Sequence, residues 1–127
     1  MKAAVLALAA LLAGAPSAAG AADASRDFDA FIERFRAALR ARDAAAIADL
    51  TRLPLLYEGR RLDRAAFVQV VPTLFDARLS ACLAQARPQA EGSDRLLYCA
   101  PYTFHLRADA SGRWRLDEFA ADGEDLP

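Results

Sequence analysis

The sequence predicts an α+β fold: N-terminal helices and a middle helix packed on a curved antiparallel sheet. Three observations predict it. Leu96–Phe119 holds two alternating apolar/polar runs joined by Asp109-Ala110-Ser111-Gly112, a strand–turn–strand pattern. Asp27–Arg42 carries apolar residues at helical spacing, with Phe28, Phe31, Ile32, Phe35 and Leu39 on one stripe. Asp63 stands as an N-cap between Leu62 and Phe67, the spacing of a hydrophobic staple that opens the middle helix. Helices and strands are thus segregated along the chain, which favours an antiparallel sheet over a βαβ arrangement.

The chain has 127 residues and a formal net charge of −1. Met1-Lys2 gives a short basic start, Ala3–Ala13 an apolar run, and Gly14–Ala22 a small-residue segment broken by Pro16. That three-part layout predicts a secretory signal peptide over 1–22, cleaved after Ala19 or Ala22. The apolar run is too short to span a bilayer. No cysteine lies near the cleavage region, which argues against a lipid anchor. What remains, 23–127, is sized for one domain with one modest core. The expected location is periplasmic or secreted, with no membrane association after cleavage. Acidic and basic residues are scattered, and Lys2 is the only lysine. Without a basic stripe, nucleic-acid binding is not expected.

Cys82 and Cys99 are the only cysteines. In an oxidising compartment an even count predicts a disulfide. The alternatives are two free buried thiols or a redox pair, although the spacing is not C-x-x-C. One histidine and no carboxylate pair at ligand spacing give no metal constellation, and no cofactor is expected.

In chain order, Asp43 caps a short second helix, and Pro54 ends the helical run. Leu53–Leu62 reads as a hairpin or a strand plus turn about Glu58-Gly59. The middle helix begins at Asp63, is expected to kink or break at Pro72, and continues as Thr73–Ala84 with Cys82 on the stripe of Phe75, Leu79 and Leu83. Arg87–Asp94 is a loop by composition. A turn centred on Ala110 sets Leu106 against Trp114, Phe104 against Leu116 and His105 against Arg115. Tyr102, Phe104, Leu106, Trp114 and Leu116 then share a buried face, and Thr103, His105, Arg107, Arg113, Arg115 and Asp117 share the wet one. A one-residue bulge at Ala100-Pro101 is needed to bring Cys99 to the buried face.

Two clusters merit a functional reading. Asp117 could orient His105 as a base, yet no nucleophile or second base converges there, so a solvated sheet face is the stronger reading and no catalytic residue is assigned. Arg107, Arg113 and Arg115 could recognise an anion, with Asp117 close enough to neutralise them. His105, Arg107, Arg113, Arg115 and Asp117 are therefore the candidate binding residues.

The order of elements resembles the NTF2-like (cystatin-like) α+β superfamily, in particular its small exported bacterial domains of unknown function. The resemblance rests on Phe28-x-x-Phe31-x-x-x-Phe35, on Leu53-Pro54-Leu55 leading to Gly59, on Phe67 and Leu74-Phe75 after Asp63, and on Tyr102-x-Phe104 paired with Gly112-x-Trp114. It implies a cone-shaped sheet with a pocket between helix and sheet, and a protein partner, a small apolar ligand or a homodimer through the sheet face. Enzymes of that superfamily, of isomerase or dehydratase type, place an Asp or a His–Asp pair inside the cone. Those motifs have no match here, so the expectation leans towards a binding domain, with a small enzyme as the alternative.

Overall fold

A computed structural model describes residues 18–122. The expected signal peptide falls mostly outside them. The fold is α+β and, among the described residues, has four helices, a two-stranded antiparallel sheet and a four-stranded one that does not close into a barrel. The elements are α1 (Ala18–Ala41), α2 (Ala44–Asp49), β1 (Leu55–Tyr57), β2 (Arg60–Leu62), α3 (Arg64–Leu74), α4 (Ala77–Gln85), β3 (Gln89–Glu91), β4 (Asp94–Cys99), β5 (Tyr102–Ala108) and β6 (Trp114–Ala121). The large sheet runs in the order β3-β4-β5-β6.

α1 starts earlier than the Phe stripe alone indicates, and Phe28 enters the core from it. Phe31, Phe35 and Leu39 follow into the core at 3.6-residue spacing. The caps are as the sequence predicts. The Asp43 carboxylate accepts from Ala46 N at 3.1 Å, and that of Asp63 from Ala66 N at 2.9 Å. Leu62 and Phe67 are both buried, as a staple requires.

Four expectations are corrected. Pro72 sits inside α3, and the helical run breaks beyond it, at Phe75-Asp76, where α4 sets off at 93°. Pro72 removes one N–H from the helical ladder without ending the helix, whereas the Asp76 carboxylate starts a new helix by accepting from Leu79 N at 2.8 Å. Gln89–Glu91 forms a short edge strand, not a loop, because pairing with β4 overrides its weak propensity. The long strand expected through Pro101 is two strands. The chain reverses at Ala100-Pro101, without a bulge, and Cys99 lies opposite Tyr102. Finally, the β5–β6 pairing slips by two residues. Trp114 faces Ala108 and Leu116 faces Leu106, because the turn closes as Asp109 N donates to Arg113 O at 2.8 Å and is centred one residue later. A two-residue slip preserves the face of each side chain, so Phe104, Leu106, Trp114 and Leu116 are still buried together.

Cys82 and Cys99 form a disulfide, with Cα atoms 6.0 Å apart, tying α4 to β4. In the chain-entropy model, closing that loop stabilises the fold by about 3 kcal/mol. Arg36 of α1 donates to Ala86 O at the end of α4 at 2.8 Å. Among the described residues no single helix is long and apolar enough to cross a membrane. The α3–α4 pair is apolar enough taken together, but Phe67, Val71, Leu74, Leu79 and Leu83 spend that character in the core.

Candidate functional site

The interior between α1 and the sheet is filled, since Phe31, Phe35, Phe75 and Phe104 are all but inaccessible. An opening lies elsewhere. β6 is an edge strand of the large sheet. Its first half is sealed by the segment after α2: Leu116 N donates to Leu50 O and Arg52 N to Leu116 O, both at 2.8 Å. Beyond Leu116 the covering segment turns away at Pro54 into the β1–β2 hairpin. The gap between that hairpin and the second half of β6 is a cleft of about 900 Å³, lined by Tyr57, Glu58 and Arg61 on one wall and by Tyr102, Arg107 and Glu118–Ala121 on the other.

A β-bulge builds its floor. The pairing jumps from Leu106↔Leu116 to His105↔Glu118, which leaves Asp117 as the extra residue. Bulges re-aim a side chain, and here the Asp117 side chain, 6% exposed, receives Arg107 Nη1 on Oδ2 at 2.6 Å and Arg52 Nη1 on Oδ1 at 3.0 Å. Arg107 also donates to Asp94 Oδ2 at 3.0 Å and comes within 4.0 Å of Glu118. The bond to Asp94, with the surrounding carboxylates, holds the Arg107 guanidinium still further above its ordinary range, against its partial burial. Three rings complete the lining: Tyr57 and Tyr102 lie 6.1 and 5.6 Å from Phe119, centroid to centroid. Burial, followed by the neighbouring Glu58 carboxylate, pushes the Tyr57 hydroxyl up from its usual value. Glu58 and Gly59 form the hairpin turn with φ of 49° and 76°. Glycine adopts that region freely, but a glutamate there is held at a cost of order 1 kcal/mol.

Of the five candidate residues, the structure brings together Arg107 and Asp117. Arg115 turns to the opposite end of the hairpin, 3.7 Å from Asp109. Arg113 is exposed beside the turn. His105 faces Glu118 across the strands, in a row with Leu96 on the sheet face opposite Phe104, and is not part of the cleft lining. The spatial pair expected between His105 and Asp117 is replaced by Arg107–Asp117, because the bulge shifts the register beyond Leu116 by one residue. Arg52, Tyr57, Glu58, Arg61 and Phe119 join the site without having been singled out for it in the sequence. Only Glu58, a bulky residue before a turn glycine, carried a local signal. Among the described residues no group of three His, Cys, Asp or Glu side chains is placed to hold a metal ion.

Comparison with known proteins yields no matching family model, no matching curated protein and no matching solved structure.

Proposed function

We propose that the protein is an exported binding domain of the NTF2-like type, and that its ligand seats in the cleft between the β1–β2 hairpin and β6. The observation that carries this reading is the composition of the cleft. Three aromatic rings and six charged side chains around about 900 Å³ offer a ligand both apolar surface and polar anchors. The disulfide supports export, since such bonds persist in oxidising compartments. Binding is favoured over the rival isomerase- or dehydratase-type enzyme because both oxygens of the Asp117 carboxylate, the buried acid of the cleft, are already occupied by arginines. A fragment screen on the ¹⁵N-labelled protein tests the site. Hits are expected to shift the amides of Leu56, Tyr57, Tyr102 and Phe119, and Tyr57→Ala to remove those shifts. Shifts confined to Leu96, Tyr98 and His105 would overturn it.

A second reading rests on Tyr98, which is 55% exposed on the outer sheet face, in a cross-strand row with Thr103 and Ala120. A protein partner or a second copy of the chain would cover it there. A concentration-dependent mass by light scattering that Tyr98→Ser abolishes supports this reading, and a monomer at every concentration removes the homodimer.

A further inference from the structure

We propose that the cleft receives an organic cation, a guanidinium or ammonium group on an apolar stem, and that Arg52 is the internal stand-in this cation displaces from Asp117. The inference rests on the cleft being the binding site and adds the chemical class of its occupant.

The two arginines on Asp117 are not equivalent. Arg107 projects from an inner strand and is anchored by Asp94 as well as Asp117, with Glu118 nearby. Arg52 comes from the segment joining α2 to β1, its side chain is 68% exposed, and Asp117 is its single ion-pair partner. The Arg52 end of the pair is open to solvent and held by one carboxylate, whereas Arg107 has three carboxylates around it, so Arg52 can leave and Arg107 stays. Without Arg52, three carboxylates (Asp94, Asp117 and Glu118) surround one guanidinium. With Arg52 in place the cluster is still one positive charge short. On the facing wall Glu58 and Arg61 cancel. A cation can take the place of Arg52 on Asp117 one for one and leave that balance as it stands, whereas an anion cannot occupy that place beside Asp117 and Glu118.

The walls agree with the floor. The faces of Tyr57, Tyr102 and Phe119 carry the negative side of the ring quadrupole, which attracts cations, and Pro54 and Leu56 offer apolar surface to a stem. Glu58 supports the same assignment. Its backbone holds a positive φ that a glycine would adopt without strain, and the glutamate sets a carboxylate on the lip of the cleft.

Agmatine, a guanidinium on a four-carbon stem, is the probe, and glutarate is the anion of comparable length. Amide shifts of the ¹⁵N-labelled full domain are followed for each. Agmatine is expected to shift Tyr57, Glu118 and Phe119 saturably, and glutarate to leave them in place. Arg52→Ala is expected to tighten agmatine about two- to fivefold, the worth of an ion pair whose cation is open to solvent. Asp117→Asn is expected to weaken it about tenfold or more, the worth of a charge-assisted hydrogen bond. Glu58→Gln, exposed and remote from the core, gives a smaller loss and keeps the test valid if the Asp117 variant unfolds. Saturable glutarate shifts at the same amides would overturn the cation and leave the cleft as the binding site. Agmatine binding that is unchanged or weaker in Arg52→Ala would overturn the stand-in role. If neither probe shifts the cleft, the cation inference falls, and the fragment screen decides separately whether the cleft binds anything.

Discussion

The two halves of β6 do different work within one strand. Trp114 and Leu116, in the first half, are buried. Trp114 packs edge-on to Phe28 with ring centroids 4.8 Å apart, and the Arg95 guanidinium lies over both rings, 5.4 Å from Phe28 and 5.6 Å from Trp114. This half is hydrogen-bonded to the segment after α2 as well as paired with β5. Past the bulge, Glu118 and Phe119 are half-buried and line a cleft. The segment that covers the first half turns away beyond Leu116, and the extra residue at Asp117 sets a carboxylate on the floor of the gap that this leaves.

The largest expected difference between the halves follows from truncating each. Trp114→Ala removes a ring from a packed cluster and is expected to cost about 3–5 kcal/mol, read from the urea midpoint. Phe119→Ala, on a half-buried ring, is expected to cost less than half as much while eliminating ligand shifts in the cleft. Equal losses for the two would erase the distinction drawn between the halves.

The first half was legible in the sequence and the second was not. Trp114 and Leu116 declared their face by alternation, and a two-residue error in register left that face unchanged, since side-chain direction depends only on parity. The helix starts were legible for a similar reason, because Asp43 and Asp63 act on backbone N–H groups three residues away. The bulge was not, because it is set by partners distant in sequence: Arg52 and Arg107 draw Asp117 out of the alternation across separations of 65 and 10 residues. Pro101 did announce an interruption. Alternation continues on both sides of it, however, and does not distinguish a bulge from a reversal. The cleft depends on where the β1–β2 hairpin departs from β6, a placement that no local pattern encodes.

A smaller effect isolates the bulge itself. Asp117→Asn keeps the shape but removes the charge between two guanidiniums, and the expected cost is about 1–3 kcal/mol. Arg107 retains Asp94 and Glu118, which limits the damage. Arg52→Ala, which removes only the solvent-exposed partner, should cost less, about 1 kcal/mol. If the two variants destabilise equally, Asp117 is held by both arginines to the same degree, and the asymmetry between anchored and displaceable partners is wrong.

The smallest effect lies at the turn that feeds the first half. The Asp109 carboxylate accepts from Ser111 Oγ at 2.6 Å, Ser111 N at 2.9 Å and Arg113 N at 3.0 Å. These bonds, the Ser111 hydroxyl first, hold its carboxyl below the ordinary value of 3.8. A carboxyl whose folded pKa is depressed contributes stability above its unfolded pKa and loses it as the pH falls through the folded value. The gap in stability between wild type and Asp109→Ala should therefore be constant near neutrality and shrink on acidification below about pH 4. Because the side chain is exposed, the change should be confined to the turn, with the amides of Ser111 and Arg113 moving and those of Phe119 and Tyr57 still. Cleft amides that titrate together with Asp109 would show the two halves of β6 to be coupled through the strand, contrary to the separation argued from the bulge.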